Sequence, residues 1–269
     1  MPMADSHPKA VQGGLSDMLH FDKIVFGPIY SRRLGSSLGV NILPQEGKMC
    51  NFDCVYCECG WNRDGRSSSR FPVAEEVADA LEIALKRAAS ESVRIDSITF
   101  SGNGEPTLNP EFAAIVDATL RLRDFYCPQA KVSVLSNATT LSRPGVFEAL
   151  QKVDNPILKI DAASDELIGR INQPCGKYSL SQVVENLKRF DGNFILQTMF
   201  LRSPDFDTTA QETIDSWIDI VLQLRPREVM VYTIDRETPD SRLGKCTVEQ
   251  MKMLTKPLAD AGIPIQIRG

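Results

Sequence analysis

Histidine is almost missing from this chain: there are two in 269 residues, His7 and His20, both near the N-terminus. A Ser/His/Asp triad or a histidine-rich zinc site in the body of the protein is therefore excluded. Acid/base work falls to Lys, Asp, Glu, Cys or Tyr. Long hydrophobic runs are lacking as well. The longest apolar stretches, such as Phe194 to Leu201, are far short of a bilayer span, and the N-terminus has no signal-peptide core. A cytoplasmic protein with no membrane partner is expected. Nor is there an excess of charge of one sign: 30 basic against 35 acidic residues leave a net charge of -5, which is no electrostatic reason to bind nucleic acid. Arg32, Arg33, Arg63, Arg66 and Arg70 read as solvated loop charges.

What is present is an ordinary globular composition, 42% hydrophobic and 24% charged, at the length of one large α/β domain. Residues 1–20 read as a mobile N-terminal extension, because Met1 to Gly14 is small, polar and aperiodic. Residues 21–245 form the body, and 246–269 a helix and short strand appended to it. Within the body, short β-rich runs alternate with helical stripes. The runs are Gly39 to Leu43, Ser97 to Phe100, Lys131 to Leu135, Ile157 to Ile160, Phe194 to Met199 and Glu228 to Tyr232, and Pro264 to Ile267 ends the chain. Val77, Leu81, Ala84, Leu85 and Ala88 make one helical stripe; Asn109-Pro110 reads as the N-cap and first turn of a second; Thr247 and Gln250 have capping-box spacing. Six strand-helix units predict an α/β fold with parallel strands, a barrel or partial barrel. Chemistry in such folds collects at the C-terminal ends of the strands.

Seven cysteines is an odd number, and Cys50-x3-Cys54-x2-Cys57 crowds three of them into eight residues, poor spacing for a disulfide framework. Structural zinc normally takes four closed ligands, and an electron-transfer cluster four cysteines. A triplet fits three irons of a cubane with the fourth left open. Cys59 offers a fourth thiol and with it an alternative: a closed zinc or iron-sulfur site serving RNA binding or electron transfer. At the other strand ends stand Ser101 to Thr107, Ser136-Asn137, Asp161 and Thr233 to Arg236. Lys48 reads as an exposed loop lysine, and Lys159 as pointing towards the helices.

The run CNFDCVYC, with Tyr56 before the third cysteine, resembles the cluster loop of radical S-adenosylmethionine enzymes, and Asn103-Gly104-Glu105-Pro106 resembles their Gly-Gly-Glu-type segment. The resemblance implies a partial (β/α)6 barrel, with a [4Fe-4S] cluster on Cys50, Cys54 and Cys57 and S-adenosylmethionine on its open iron. It also implies reductive release of a 5'-deoxyadenosyl radical that abstracts hydrogen from a substrate. Tyr56, Asn103, Gly104 and Glu105 are then expected near the methionine end, and Ser136, Asn137 and Asp161 near the ribose or substrate. The implied partners are a reductant such as flavodoxin or ferredoxin and an unidentified substrate, a small molecule ahead of tRNA. The segments Gly27 to Gly35, Ser101 to Thr107 and Val231 to Arg236 are similar to a subgroup related to the tRNA wybutosine-synthesising enzyme. That branch carries a second cluster on upstream cysteines, and no cysteine precedes Cys50 here. Gln197, Thr233, Asp235, Arg236, the loop Trp61 to Phe71 and Ser31 to Arg33 are expected to meet substrate, and Cys175 and Tyr178 are hydrogen donors by type.

Overall fold

The computed structural model describes residues 21–31, 34–63 and 70–269. The extension at 1–20, Arg32 and Arg33, and loop residues 64–69, Arg66 included, lie outside the described residues. The chain opens with a hairpin, β1 (Val25–Ser31) and β2 (Gly35–Val40), then α1 (Ala74–Ser90), β3 (Ser97–Phe100), α2 (Phe112–Tyr126), β4 (Lys131–Ser136), α3 (Val146–Lys152) and β5 (Asn155–Lys159). There follow α4 (Asp165–Ile171), α5 (Leu180–Lys188), β6 (Ile195–Met199), the small strands β7 (Leu201–Ser203) and β8 (Phe206–Asp207), α6 (Gln211–Leu224) and β9 (Glu228–Tyr232). Last come β10 (Gly244–Lys245), α7 (Val248–Asp260) and β11 (Ile265–Arg268).

Eight strands form one sheet in the order β1-β2-β3-β4-β5-β6-β9-β11, and every pair but the first is parallel. This is the expected α/β partial barrel, with two differences. The first parallel strand lies at Gly35–Val40, not Gly39 to Leu43, and an antiparallel β1 precedes it. Small residues in GSSLGV and the proline of VFGPIYS hide both strands from a periodicity search. The last strand pairs with β9 inside the main sheet.

Period-two alternation sorts each strand's side chains into two layers. Leu158, Leu196, Val229 and Val231 pack under the helices with Leu81, Ile115, Leu187 and Trp217; Ile157, Ile195 and Met230 fill the opposite face with Leu34 and Leu135. Trp217 crosses Phe200 edge-on at 5.2 Å and donates its indole N–H to Thr198 Oγ1 at 3.2 Å, so its polar atom is not stranded in the core. Thr247 and Gln250 form the capping box that starts α7. The second helix, however, starts at Phe112: Asn109 ends a preceding 3-10 turn, and its amide donates to the carbonyls of Ile42 and Pro72 at 2.8 and 2.9 Å. Its Oδ1 accepts from Glu111 N–H at 2.8 Å, so the same side chain ties two other loops to the turn that leads into the helix. No helix among the described residues is long and apolar enough to cross a membrane.

Candidate functional site

The loop that carries Cys50, Cys54 and Cys57 leaves β2 at the C-terminal end of the sheet and is stitched down on two sides. On the first, Met49 pairs with Gly104 in a parallel bridge: Met49 N–H donates to Asn103 O at 2.7 Å and Glu105 N–H to Met49 O at 3.1 Å. On the second, Phe52 pairs with Pro174, while Asp53 and Val55 N–H donate to Asn172 O and Ile171 O at 2.8 and 2.9 Å. The loop's backbone is thus held by the ends of β3 and α4 before any ligand contributes.

The residues singled out from the sequence divide between these two sides. Around Cys50 stand Asn103, Gly104, Glu105, Ser136 and Asn137. Glu105 is fully enclosed: its carboxylate accepts from Thr107 N–H at 3.1 Å, from the Thr107 hydroxyl and from Asn137 N–H at 2.7 Å. Burial raises its pKa, opposed by these donors and by the Ser136 hydroxyl. With those acceptor positions taken, Glu105 is a strut joining the loops after β3 and β4. Asn137 Nδ2 donates to Asn51 Oδ1 at 2.7 Å and lies 3.9 Å from Cys50 Sγ. The Asn103 side chain turns away from the cysteines and bonds the backbone of Phe21 and Pro44. Gly104 has φ +135°, and a Cβ there would lie 2.0 Å from Met49 O, so only glycine permits the bridge.

Around Cys54 stand Tyr56 and Asp161 with three residues that were not predicted. Lys159 donates to the hydroxyls of Tyr56 and Tyr232 at 2.9 and 2.7 Å and lies 3.7 Å from Asp161 Oδ1. The Tyr56 hydroxyl donates to Asp161 Oδ2, and Asp161 Oδ1 also accepts from Met199 N–H at 2.9 Å. Lys159 therefore faces the site, not the helices. Residues two apart on an extended chain share a face, so its pairing with Asp161 was legible in the alternation. Its buried ammonium would lose its proton to desolvation, but Asp161 and the neighbouring phenol and thiol groups outweigh that and raise its pKa. Asn172, the C-cap of α4, is 1% exposed; its Nδ2 donates to Asp161 Oδ2 at 2.7 Å, to Tyr56 OH at 3.2 Å and to Cys54 Sγ at 3.3 Å. No sequence signal marks it, since only tertiary packing brings the end of α4 to the cysteine loop.

Lys48 is buried, not an exposed loop lysine. Its side chain is 1% exposed, and Nζ donates to Asp53 Oδ1 at 3.0 Å and Gly60 O at 2.8 Å. Burial would lower its pKa, but the thiol of Cys57 and the Asp53 carboxylate raise it overall. The three thiols differ accordingly. Burial raises Cys50, with Glu105 adding to the shift, and pushes Cys54 up to about 11, while a hydrogen bond from Cys59 and the Lys48 charge lower Cys57. The Cys59 thiol also lies 3.4 Å from Gly102 O.

The proposed substrate contacts scatter. Gln197 is 4% exposed; Thr233 is spent on Phe200 O and Cys246 N–H; Arg236 pairs with Glu58 beside Cys57 at 2.9 Å. Cys175 is exposed and tied to the cysteine loop through its N–H to Asn51 O at 2.9 Å, and Tyr178 packs edge-on against Phe52 at 5.7 Å.

A family model described as the radical SAM superfamily matches residues 47–215, from the cysteine loop into the first turn of α6. A UPF0026 protein of Methanocaldococcus jannaschii is 30% identical over 241 residues, covering 88% of this chain and 70% of the relative. A protein named GTPase Obg from Brachyspira hyodysenteriae is 28% identical over 240 residues; 87% of this chain is covered, but the chain spans only 33% of that relative. The crystal structure of Streptococcus suis SuiB bound to S-adenosylmethionine has a similar fold, with a TM-score of 0.62 at 17% identity over 86% of this chain and 50% of SuiB. Because the family model covers more than half of the sequence and begins at the cysteine loop itself, the chain belongs to the radical SAM superfamily.

Proposed function

We propose that this protein is an iron-sulfur enzyme that holds a [4Fe-4S] cluster on Cys50, Cys54 and Cys57 and cleaves S-adenosylmethionine bound beside it. When bound, the two groups together supply a 5'-deoxyadenosyl radical able to take hydrogen from a substrate. The observation that carries this reading is the donor set. Three half-buried free thiols leave one loop that is clamped on both sides, and a cubane takes each of three such thiolates on a different iron, leaving its fourth iron for another ligand. Two further features fit the groups. Gly104 lets the β3 loop approach Met49 where any side chain would block it, and Asn172 Oδ1 is buried beside Cys54 with no protein partner.

In this reading the chain's own residues bind and orient. Gly104 and the backbone around it form the rim for the methionine end, Glu105 stiffens that rim, and Ser136 and Asn137 carry it towards the ribose. Tyr56 and Asp161 form the opposite wall. Lys48, paired with Asp53, and Lys159, paired with Asp161, bring buried ammonium groups close to the cysteines and hold the walls of the site around them. A low-potential donor such as flavodoxin or ferredoxin supplies the electron, in a cytoplasmic setting. The substrate is a small molecule in preference to tRNA, since the net charge of -5 gives no field for nucleic acid. The test is anaerobic reconstitution with iron and sulfide, then dithionite and S-adenosylmethionine. Formation of 5'-deoxyadenosine and methionine is expected, while a colourless protein with one zinc per chain would overturn the reading.

A further inference from the structure

Asn172 has two N–H bonds and three acceptors around them: Asp161 Oδ2 at 2.7 Å, Tyr56 OH at 3.2 Å and Cys54 Sγ at 3.3 Å. Its NH2 end faces Asp161, whose Oδ2 also accepts from the Tyr56 hydroxyl and whose Oδ1 lies 3.7 Å from the Lys159 ammonium. One N–H goes to Asp161, the shortest contact. The other lies between the phenol oxygen and the sulfur. The phenol oxygen is already served, since it accepts from Lys159 at 2.9 Å. A neutral thiol is a weak acceptor, but a thiolate bound to iron carries negative charge, and hydrogen bonds to charged acceptors are roughly twice as strong as neutral ones. At 3.3 Å from the sulfur, the second N–H is placed to serve a Cys54 that ligates iron.

We propose that Asn172 is a positioning residue that tunes the cluster: its amide, held by Asp161, donates to the Cys54 thiolate and raises the reduction potential of the iron it ligates. The inference rests on the proposed cluster site. Hydrogen bonds to ligand sulfur are one of the levers that set iron-sulfur potentials, because they stabilise the more negative, reduced state. The donor is held rigidly. Asn172 backbone N–H donates to Ile168 O at 2.7 Å, its carbonyl accepts from Asp53 N–H at 2.8 Å, and the residue is 1% exposed. The donor is therefore fixed from both ends of its residue, and water does not compete for it.

The test needs only the reconstituted protein and no turnover. In Asn172→Ala with full iron content, redox titration followed by electron paramagnetic resonance should show the ratio of reduced to oxidised cluster at the wild-type midpoint down about tenfold, equivalent to about 59 mV for a one-electron couple. A purely structural role would lower iron content without moving the potential of the clusters that form. An unchanged midpoint at full occupancy overturns the proposal. If the variant takes up no cluster, the wild-type protein decides. With nitrogen-15 in its asparagine side chains, the reduced cluster should show a nitrogen coupling and a deuterium-exchangeable proton coupling, both lost in Asn172→Ser. Their absence from the wild-type spectrum overturns the proposal while leaving the cluster itself in place. Wild-type protein that binds no iron would instead sink the function on which the inference rests.

Discussion

Replacing Gly104 with alanine tests the central clamp directly. The added Cβ would lie 2.0 Å from Met49 O and 3.1 Å from Cys50 N, and real Cβ atoms essentially never come within 3.0 Å of such a neighbour. Met49 must therefore retreat by roughly 1 Å, enough to break both hydrogen bonds of the bridge, the 2.7 Å contact to Asn103 O and the 3.1 Å contact from Glu105 N–H. Two such bonds are worth about 0.5–1.5 kcal/mol each, and forcing a non-glycine residue to positive φ costs about 1–2 kcal/mol. The sum is about 3 kcal/mol, or roughly 6–12 °C in the melting temperature of the metal-free protein. Because Met49 adjoins Cys50, iron uptake on reconstitution should fall as well. Gly262 supplies the control: it also has positive φ, +81°, but a Cβ there meets nothing within 4 Å. Gly262→Ala should show the strain alone, about 1–2 kcal/mol, with normal iron content. If Gly104→Ala melts together with Gly262→Ala and binds full iron, the clamp argument is wrong.

Other outcomes follow from the same geometry. Cys54→Ala should abolish the cluster absorbance, whereas Cys59→Ala should retain it; equal loss in both would favour a closed four-thiol site. Lys159→Met leaves Asp161 buried without its nearest cation and should cost about 3 kcal/mol in denaturant unfolding, with most of it recovered in the Lys159→Met/Asp161→Asn double variant. Asp154 accepts from Val132 N–H at 2.9 Å, Arg123 at 2.7 Å and Lys131 at 3.2 Å, and although burial opposes it these donors lower its pKa. Its folded value lies below the unfolded one of about 3.9, so its stabilisation is present above that pH and is lost as pH falls through the folded value. Asp154→Asn should accordingly lower the melting temperature at pH 7, and the gap to wild type should close in acid.

Much of the fold and one side of the site were written locally. The run from β3 to β9 could be read from alternating apolar residues, because parallel strands buried on both faces and amphipathic helices leave strong one-dimensional periods. The capping box at Thr247 is equally local. The cysteine triplet could be picked out as a candidate ligand set from its spacing, and Gly104 as a point of close backbone approach, because both are patterns among neighbouring residues. The β1 to β2 hairpin was not, since its glycines, serines and proline carry no periodic signal.

The site's electrostatics belonged to tertiary structure alone. Whether Lys48 sits in water or at 1% exposure depends on Asp53 and Gly60 folding back over it. Asn172 meets Cys54 across 118 positions of sequence, and Lys159 meets Tyr232 across 73. Sequence by itself determined which chemical groups are available and which strands present them, because ligation and periodicity are short-range. Tertiary structure decided which of those groups are desolvated, paired and charged together, because burial and hydrogen bonding are properties of what the rest of the chain brings alongside.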